Sequence, residues 1–150
     1  MIVRPAKISD ANHIFELIDE YAQQDIMLFR PVAGIYENLQ TFSVAEQDRK
    51  IVGCCALEII WQDLAEIKSL AVHPENKNSG CGKALVRDAE KRAKNLDVPQ
   101  LFVLTLEPDF FLKSGFRKIE KDKLPMKVWK DCARCPKQEH CDEIAMTKTI

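Results

Sequence analysis

The stretch Leu70-Ala-Val-His-Pro-Glu-Asn-Lys-Asn-Ser-Gly-Cys-Gly-Lys-Ala-Leu85 restricts the fold more than any other part of the chain. Its apolar start reads as a strand ending at Val72, followed by a turn and then a helix from Gly80 to Asn95. Such a junction offers unpaired backbone N–H groups at the positive end of a helix dipole, a setting that suits a pyrophosphate. Gly80 and Gly82 carry no side chain to hold a phosphate off those amides, and Lys77 and Lys83 add charge at the rim. A Gly-x-Gly pair that merely turns the chain into a helix explains the local pattern equally well.

The order of elements around this junction is that of a mixed α/β protein. Ile2 to Arg4 opens a strand, and Pro5 pushes Arg4 towards extended geometry. Ser9 is the expected N-cap of a helix that presents Ile14, Leu17, Ile18 and Tyr21 on one face. A shorter helix is expected over Ile35 to Leu39. Thr41 to Glu46 and Ile51 to Ile60 read as a hairpin about the polar turn Gln47-Asp48-Arg49-Lys50, and Ala65 to Val72 as the next strand. The long helix should turn Leu85, Ala89, the Arg92 stem and Leu96 to one side. Leu101 to Leu104 reads as a buried strand, Asp109 to Ser114 as a short helix, and Phe116 to Ile119 as the opening of a last strand. With no repeat or Gly/Ser linker in sight, residues 1–150 are expected to form one domain, with a cysteine-containing tail at about 130–146.

Charge narrows the function classes. The chain has 22 Lys and Arg against 23 Asp and Glu, a formal net charge of -1, so it has no general attraction for nucleic acid or an acidic membrane. No apolar run approaches the roughly 20 residues needed to span a bilayer, and the N-terminus lacks a secretory layout, so a cytoplasmic location is expected. In that compartment Cys54 and Cys55 act as small reduced hydrophobes.

Arg4-Pro5-Ala6, the glycine loop and Phe110-Phe-Leu-Lys-Ser-Gly-Phe116 together resemble the GNAT acetyltransferase superfamily, whose cofactor loop reads Gln/Arg-x-x-Gly-x-Gly/Ala. The resemblance implies a GNAT-like single domain, a central mixed twisted sheet of about six or seven strands flanked by helices, with acetyl-CoA as co-substrate. Lys77 stands where Gln or Arg is usual and keeps a cation there. Asn78 stands where Gly is common, and Asn tolerates the left-handed region better than most residues. The implied cofactor set is Leu70, Ala71, Val72, Lys77, Asn78, Ser79, Gly80, Cys81, Gly82 and Lys83. Pantetheine would pair with Leu70 to Val72 like an added strand, and the amide of Leu70 or Ala71 would face the thioester oxygen.

An amine must lose a proton before it can attack a thioester, and a nearby carboxylate can take it. Glu66 is the candidate base because its strand leads to the reaction centre; the alternative is a solvent-facing strand residue. Asp63, nearer the loop, is the poorer candidate. Relatives with a Phe-Tyr-Glu-Lys-Leu-Gly-Phe-like segment use its tyrosine as the acid, but Phe111 stands there and cannot donate. The acid is left unassigned.

A narrower resemblance, to N-acetylglutamate synthases of the short stand-alone kind, rests on longer matches. They are Met27-Leu-Phe-Arg-Pro31, Trp61-Gln-Asp-Leu-Ala-Glu-Ile-Lys-Ser-Leu-Ala-Val72, Leu124-Pro-Met-Lys-Val-Trp129 and Asp131-Cys-Ala-Arg-Cys-Pro136. The acceptor it implies is L-glutamate, whose two carboxylates need cationic or N–H partners. Arg30, with its planar fork, is the expected α-carboxylate partner. Lys68, Lys127 and the hydroxyl of Ser69 are expected at the other carboxylate, although each lysine would serve equally as a surface cation.

Cys132, Cys135 and Cys141, with His140, approach zinc-ligand spacing. Because His140 and Cys141 are neighbours and cannot easily reach one ion, a turn packed by reduced cysteines is favoured and no metal is assigned. The expected protein is therefore an amino-acid N-acetyltransferase of arginine biosynthesis, with neither nucleic acid nor membrane as partner and with homodimerisation left open. An acetyl-CoA-binding sensor with weak catalysis, or an acetyltransferase for another amine, are the alternatives. The three cations speak for an anionic acceptor over a polyamine.

Overall fold

The computed structural model describes residues 1–123 and 143–150, so Lys127, His140 and the cysteines at 132, 135 and 141 lie outside the described residues. The strands are β1 (Ile2–Pro5), β2 (Phe42–Gln47), β3 (Lys50–Trp61), β4 (Leu64–Val72), β5 (Gln100–Thr105), β6 (Arg117–Lys118) and β7 (Ile144–Thr149). The helices are α1 (Ala11–Ala22), α2 (Val32–Glu37), α3 (Cys81–Asn95) and α4 (Pro108–Lys113). One seven-stranded sheet runs in the order β1-β2-β3-β4-β5-β7-β6. Among the described residues only β4 and β5 pair in parallel, joined through α3; the other pairs are antiparallel.

Helices cover both faces of the sheet, which is why β3 reads as a nearly unbroken apolar run rather than an alternation. On the α1/α2 face, Cys54 and Ala56 of β3 pack with Ile14, Leu17, Ile18 and Ile35. On the α3/α4 face, Cys55 and Leu57 pack with Leu85, Ala89 and Phe111. Ile14 and Ile18 are fully buried. Each such side chain contributes about 1.5–3 kcal/mol on leaving water. The β2–β3 hairpin forms where the polar turn was expected, with Asp48 and Arg49 both at positive φ between the paired Gln47 and Lys50. That two-residue geometry matches the twist of the flanking strands.

Four local expectations need correction. Ser9 does not cap α1: a 3-10 turn over Ile8–Asp10 precedes it, and the Asp10 carboxylate accepts from the Lys7 amide at 2.8 Å. Asp10 is held there by a two-pronged bond from Arg4 Nη1 and Nη2, at 2.7 and 3.1 Å, so an ion pair outcompetes the hydroxyl. The second helix starts earlier, at Val32, because Pro31 supplies the extended residue before it. Leu96 follows α3 as its C-cap and is exposed, whereas the Arg92 head bonds the Thr41 carbonyl at 2.8 Å and Ser43 Oγ at 3.1 Å. Finally, Arg117–Lys118 is only a two-residue strand on the edge of β7, and β7 inserts between it and β5. Lys148 fastens that insertion, donating to Glu90 at 2.7 Å and to the Ser114 carbonyl at 2.8 Å.

Candidate active site

The parallel strands β4 and β5 pair only at Ala65 with Leu101 and Glu66 with Phe102, and then part. Beyond that point a cleft of about 1940 Å³ opens, walled by Ile67 to Leu70 and Val72 on one side and Val103 to Leu106 on the other. A few residues further along β4 is a bulge against β3: Cys54 pairs with Ala71 and Ala56 with Lys68, so Ser69 and Leu70 together oppose Cys55. Ser69 takes φ +52°, an unusual value for a residue with a side chain. Such a bulge re-aims the backbone and side chains next to it, and strain of this kind is held where the surroundings determine it.

At the far end of the cleft lies the glycine loop. Asn78 (φ +64°) and Gly80 (φ +87°) both adopt the left-handed region, as anticipated for Asn78. The first helical bond of α3 runs from the Ala84 amide to the Gly80 carbonyl at 3.0 Å. The amides of Cys81, Gly82 and Lys83 therefore precede the ladder and take no partner from it. The two glycines serve different ends. A side chain at Gly80 would meet no atom within 4 Å and is excluded by backbone angle alone. A Cβ at Gly82 would stand 3.2 Å from Phe110 Cζ, so that glycine admits the α4 aromatic. The loop thus fits a diphosphate, with open space at Gly80 and unladdered amides behind it.

Tyr21 closes the same end of the cleft, a residue that motif reading left out. Its hydroxyl donates to the Val72 carbonyl, and Lys77 Nζ lies 5.3 Å from its ring centroid. Helical periodicity had placed Tyr21 only on the buried face of α1; nothing in sequence joins it to Val72. Phe111 is buried, packed edge-on against Phe110 and Phe116 at centroid distances of 4.9 and 5.3 Å. It is a core aromatic in the place of the family's acid.

The other end of the cleft gathers charge. Glu66 is only 6% exposed, so the solvent-facing alternative does not hold. Across from it, paired residue to residue, is Glu58 of β3. Arg30 arrives from the segment before α2, with its guanidinium carbon 5.0 Å from the centre of the Phe42 ring. Arg30 Nη1 donates to Ser69 Oγ at 3.2 Å, and Nη2 donates to Glu58 Oε1 at 3.3 Å. Lys68 Nζ lies 3.1 Å from Glu58 Oε2. Three of the four expected acceptor residues, Arg30, Lys68 and Ser69, are thus brought together, and the fourth, Lys127, lies outside the described residues. Glu58 was missed because it sits in an apolar strand with no motif of its own; cross-strand register with Glu66 was the signal that could have found it.

Cys54 and Cys55 are core residues, as their apolar run suggested, whereas Cys81, read as part of the glycine loop, turns its side chain into the core as well. Cys54, Cys55 and Cys81 are free and buried. Burial pushes all three thiols up, Cys55 to about 12. Among the described residues no group of three or more His, Cys, Asp or Glu is placed to hold a metal ion. No described helix is long and apolar enough to cross a membrane.

A sheet that splits between two parallel strands, a backbone bulge close to the split and a phosphate-ready helix N-terminus beside it define an α/β protein with a cleft suited to a long, diphosphate-bearing ligand. The acetyltransferase (GNAT) domain model matches residues 38–118, and the chain belongs to that family. It is 45% identical to an uncharacterized N-acetyltransferase of Chlorobaculum tepidum over 99% of this chain and 96% of that protein. It is 38% identical to the amino-acid acetyltransferase of Mycobacterium tuberculosis, over 89% of this chain and 78% of that one. Among solved structures, the N-acetylglutamate synthase of Neisseria gonorrhoeae, complexed with coenzyme A and N-acetyl-glutamate, superposes with TM-score 0.90 at 28% identity. That match covers 99% of this chain and 34% of the synthase. The protein is therefore an N-acetyltransferase with acetyl-CoA as its co-substrate, and its structure is a single GNAT domain.

Proposed function

We propose that the protein acetylates the α-amine of L-glutamate, or of a close relative, as a cytoplasmic step of arginine biosynthesis. The observation that carries this reading is the convergence of Arg30, Lys68 and Ser69 with the buried Glu66 where β4 and β5 part. An amino acid with an anionic side chain needs cations for its carboxylates and a base for its ammonium, and these residues offer both. The relatives named amino-acid acetyltransferase and N-acetylglutamate synthase support the same choice.

In this account the pantetheine arm lies in the slot between β4 and β5, with its phosphates on the amides following Gly80. Tyr21 and Lys77 wall that end. Glu66 takes a proton from the substrate ammonium, directly or through one water. The freed nitrogen attacks the thioester carbon, and the amide of Leu70 or Ala71 at the bulge receives the developing oxyanion. The nitrogen of the tetrahedral adduct gives up its second proton to water, collapse breaks the C–S bond, and the departing thiolate takes a proton from water, because Phe111 has none to give. The product amide and free CoA then leave. Arg30 holds the α-carboxylate, with Lys68, Ser69 and Lys127 on the side-chain carboxylate.

Release of free thiol from acetyl-CoA across amino acids, polyamines and peptide N-termini tests the reading. Glutamate should give the highest kcat/KM. Preference for a polyamine or a peptide would overturn the choice of acceptor while leaving the acetyltransferase chemistry intact.

A further inference from the structure

Within the acceptor site just proposed, one charged residue has no role in either the motif reading or the reaction. Glu58 binds both cations of the clamp at once, one carboxylate oxygen to Arg30 Nη2 at 3.3 Å and the other to Lys68 Nζ at 3.1 Å. The side chains are largely withdrawn from water, with 13% of Arg30, 15% of Lys68 and 23% of Glu58 exposed. Alternation along β3 and β4 puts Glu58, Glu66 and Lys68 on one face, the face that also carries the α1/α2 core. Two carboxylates directly opposite on neighbouring strands repel, and the two cations on Glu58 offset that repulsion.

We infer that Glu58 sets the charge selectivity of the acceptor site by neutralising one of the two positive charges that Arg30 and Lys68 present. The inference rests on the acceptor reading above, and goes beyond it by naming the residue that tunes it. With Glu58 in place, one of the two positive charges of Arg30 and Lys68 is offset before any ligand arrives. A second carboxylate on the ligand must compete with Glu58 for the same N–H groups. The wild-type site therefore distinguishes a dicarboxylate from its uncharged amide only moderately. Removing the Glu58 charge while keeping its shape takes one negative charge away from Arg30 and Lys68, and the site then discriminates more strongly in favour of the dianionic ligand.

L-Glutamate and L-glutamine differ in that one charge and almost nothing else, so their kcat/KM ratio reads the effect. Glu58→Gln should raise the glutamate-to-glutamine ratio by about tenfold, the scale of one unit charge acting over several ångströms in a partly buried site. Glu58→Asp, which keeps the charge, should leave the ratio near that of wild type. A merely structural loss would lower turnover of both substrates together. A ratio that stays constant or falls in a folded Glu58→Gln variant overturns the inference.

Titration of the CoA-loaded protein with glutarate, a dicarboxylate with no amine, gives the same reading without turnover. Glu58→Gln should bind glutarate several-fold more tightly than wild type; equal or weaker binding contradicts the assignment. If wild type acetylates no amino acid yet glutarate binding tightens in the variant, the acceptor reading fails and the role of Glu58 stands. If wild type acetylates glutamate and neither ratio nor glutarate affinity moves, Glu58 alone is misassigned.

Discussion

Arg30 Nη1 reaches across the cleft to Ser69 Oγ, 3.2 Å away, and so ties the segment before α2 to the one residue of β4 with a left-handed backbone. That contact joins the proposed acceptor clamp to the bulge of β4 that lies just beyond its last pair with β5. Arg30→Ala removes both the anion partner and the tie. If the α-carboxylate binds Arg30 as a charge-assisted pair, the loss is about 2–4 kcal/mol, or roughly 30- to 1,000-fold in kcat/KM for glutamate. Affinity for acetyl-CoA, measured by calorimetry, should hardly change. Arg30→Lys should recover only part of the activity, since an ammonium cannot make the forked contact.

Glu66→Gln keeps the size of the side chain and abolishes the base. The variant should lose about 100- to 10,000-fold in kcat near neutral pH. The deficit should narrow as pH rises, because a growing fraction of the substrate amine is already unprotonated. A pH–rate profile parallel to that of wild type would remove Glu66 from the proton path.

Gly80 and Gly82 make separable predictions. Gly80→Val strains a backbone at φ +87° without touching any neighbour, so it should weaken acetyl-CoA binding at least ~10-fold by distorting the loop. Gly82→Val should do the same and in addition lower the melting temperature, because its Cβ presses on Phe110. Calorimetry and thermal melts on the two variants check the split.

Much of this site was legible because its residues sit in contiguous segments. The run from Ala65 to Lys83 carries strand, turn and helix start in one stretch, and short-range rules are enough to read those three, though not the bulge at Ser69. Glu58 and Tyr21 were not legible, since each acquires its meaning only through register or packing: Glu58 opposite Glu66, Tyr21 against the Val72 carbonyl. The sheet has the six or seven strands that the resemblance implied, but β7 was not located, for a similar reason. Ile144-Ala-Met-Thr-Lys-Thr149 follows the cysteine-bearing segment, and its pairing with β5 is a contact some 40 residues long in sequence. Long-range pairing of that kind leaves no local mark beyond a modest β propensity. The start of α1 was misplaced because the Asp10 carboxylate, held by Arg4, closes a 3-10 turn on the Lys7 amide ahead of the helix, and nothing local to Ser9 reveals that pairing.

The Arg4–Asp10 pair predicts an acid limit to stability. Burial opposes the charge on Asp10, but the Arg4 guanidinium and the Lys7 amide hold its carboxyl below the usual range. A group with a depressed folded-state pKa stabilises above its unfolded value, about 4, and loses that contribution as pH falls through the folded value. Asp10→Asn should therefore cost about 1.5–3 kcal/mol at pH 7, with the difference from wild type shrinking below about pH 4. Urea denaturation across that range measures it.

Thiol accessibility tests the burial of the cysteines. The chain has six, of which Cys54, Cys55 and Cys81 are buried, with thiols pushed up by burial. At mildly alkaline pH no more than three should react with a thiol reagent in the native protein, and all six after unfolding.

The most direct test of the whole account is a crystal structure with CoA and L-glutamate bound together. The account predicts pantetheine between β4 and β5, its phosphates on the amides after Gly80, the α-carboxylate on Arg30, and the amino group within hydrogen-bond reach of Glu66, directly or through one water. Glutamate bound with its amine remote from Glu66, or with neither carboxylate on Arg30, would contradict it.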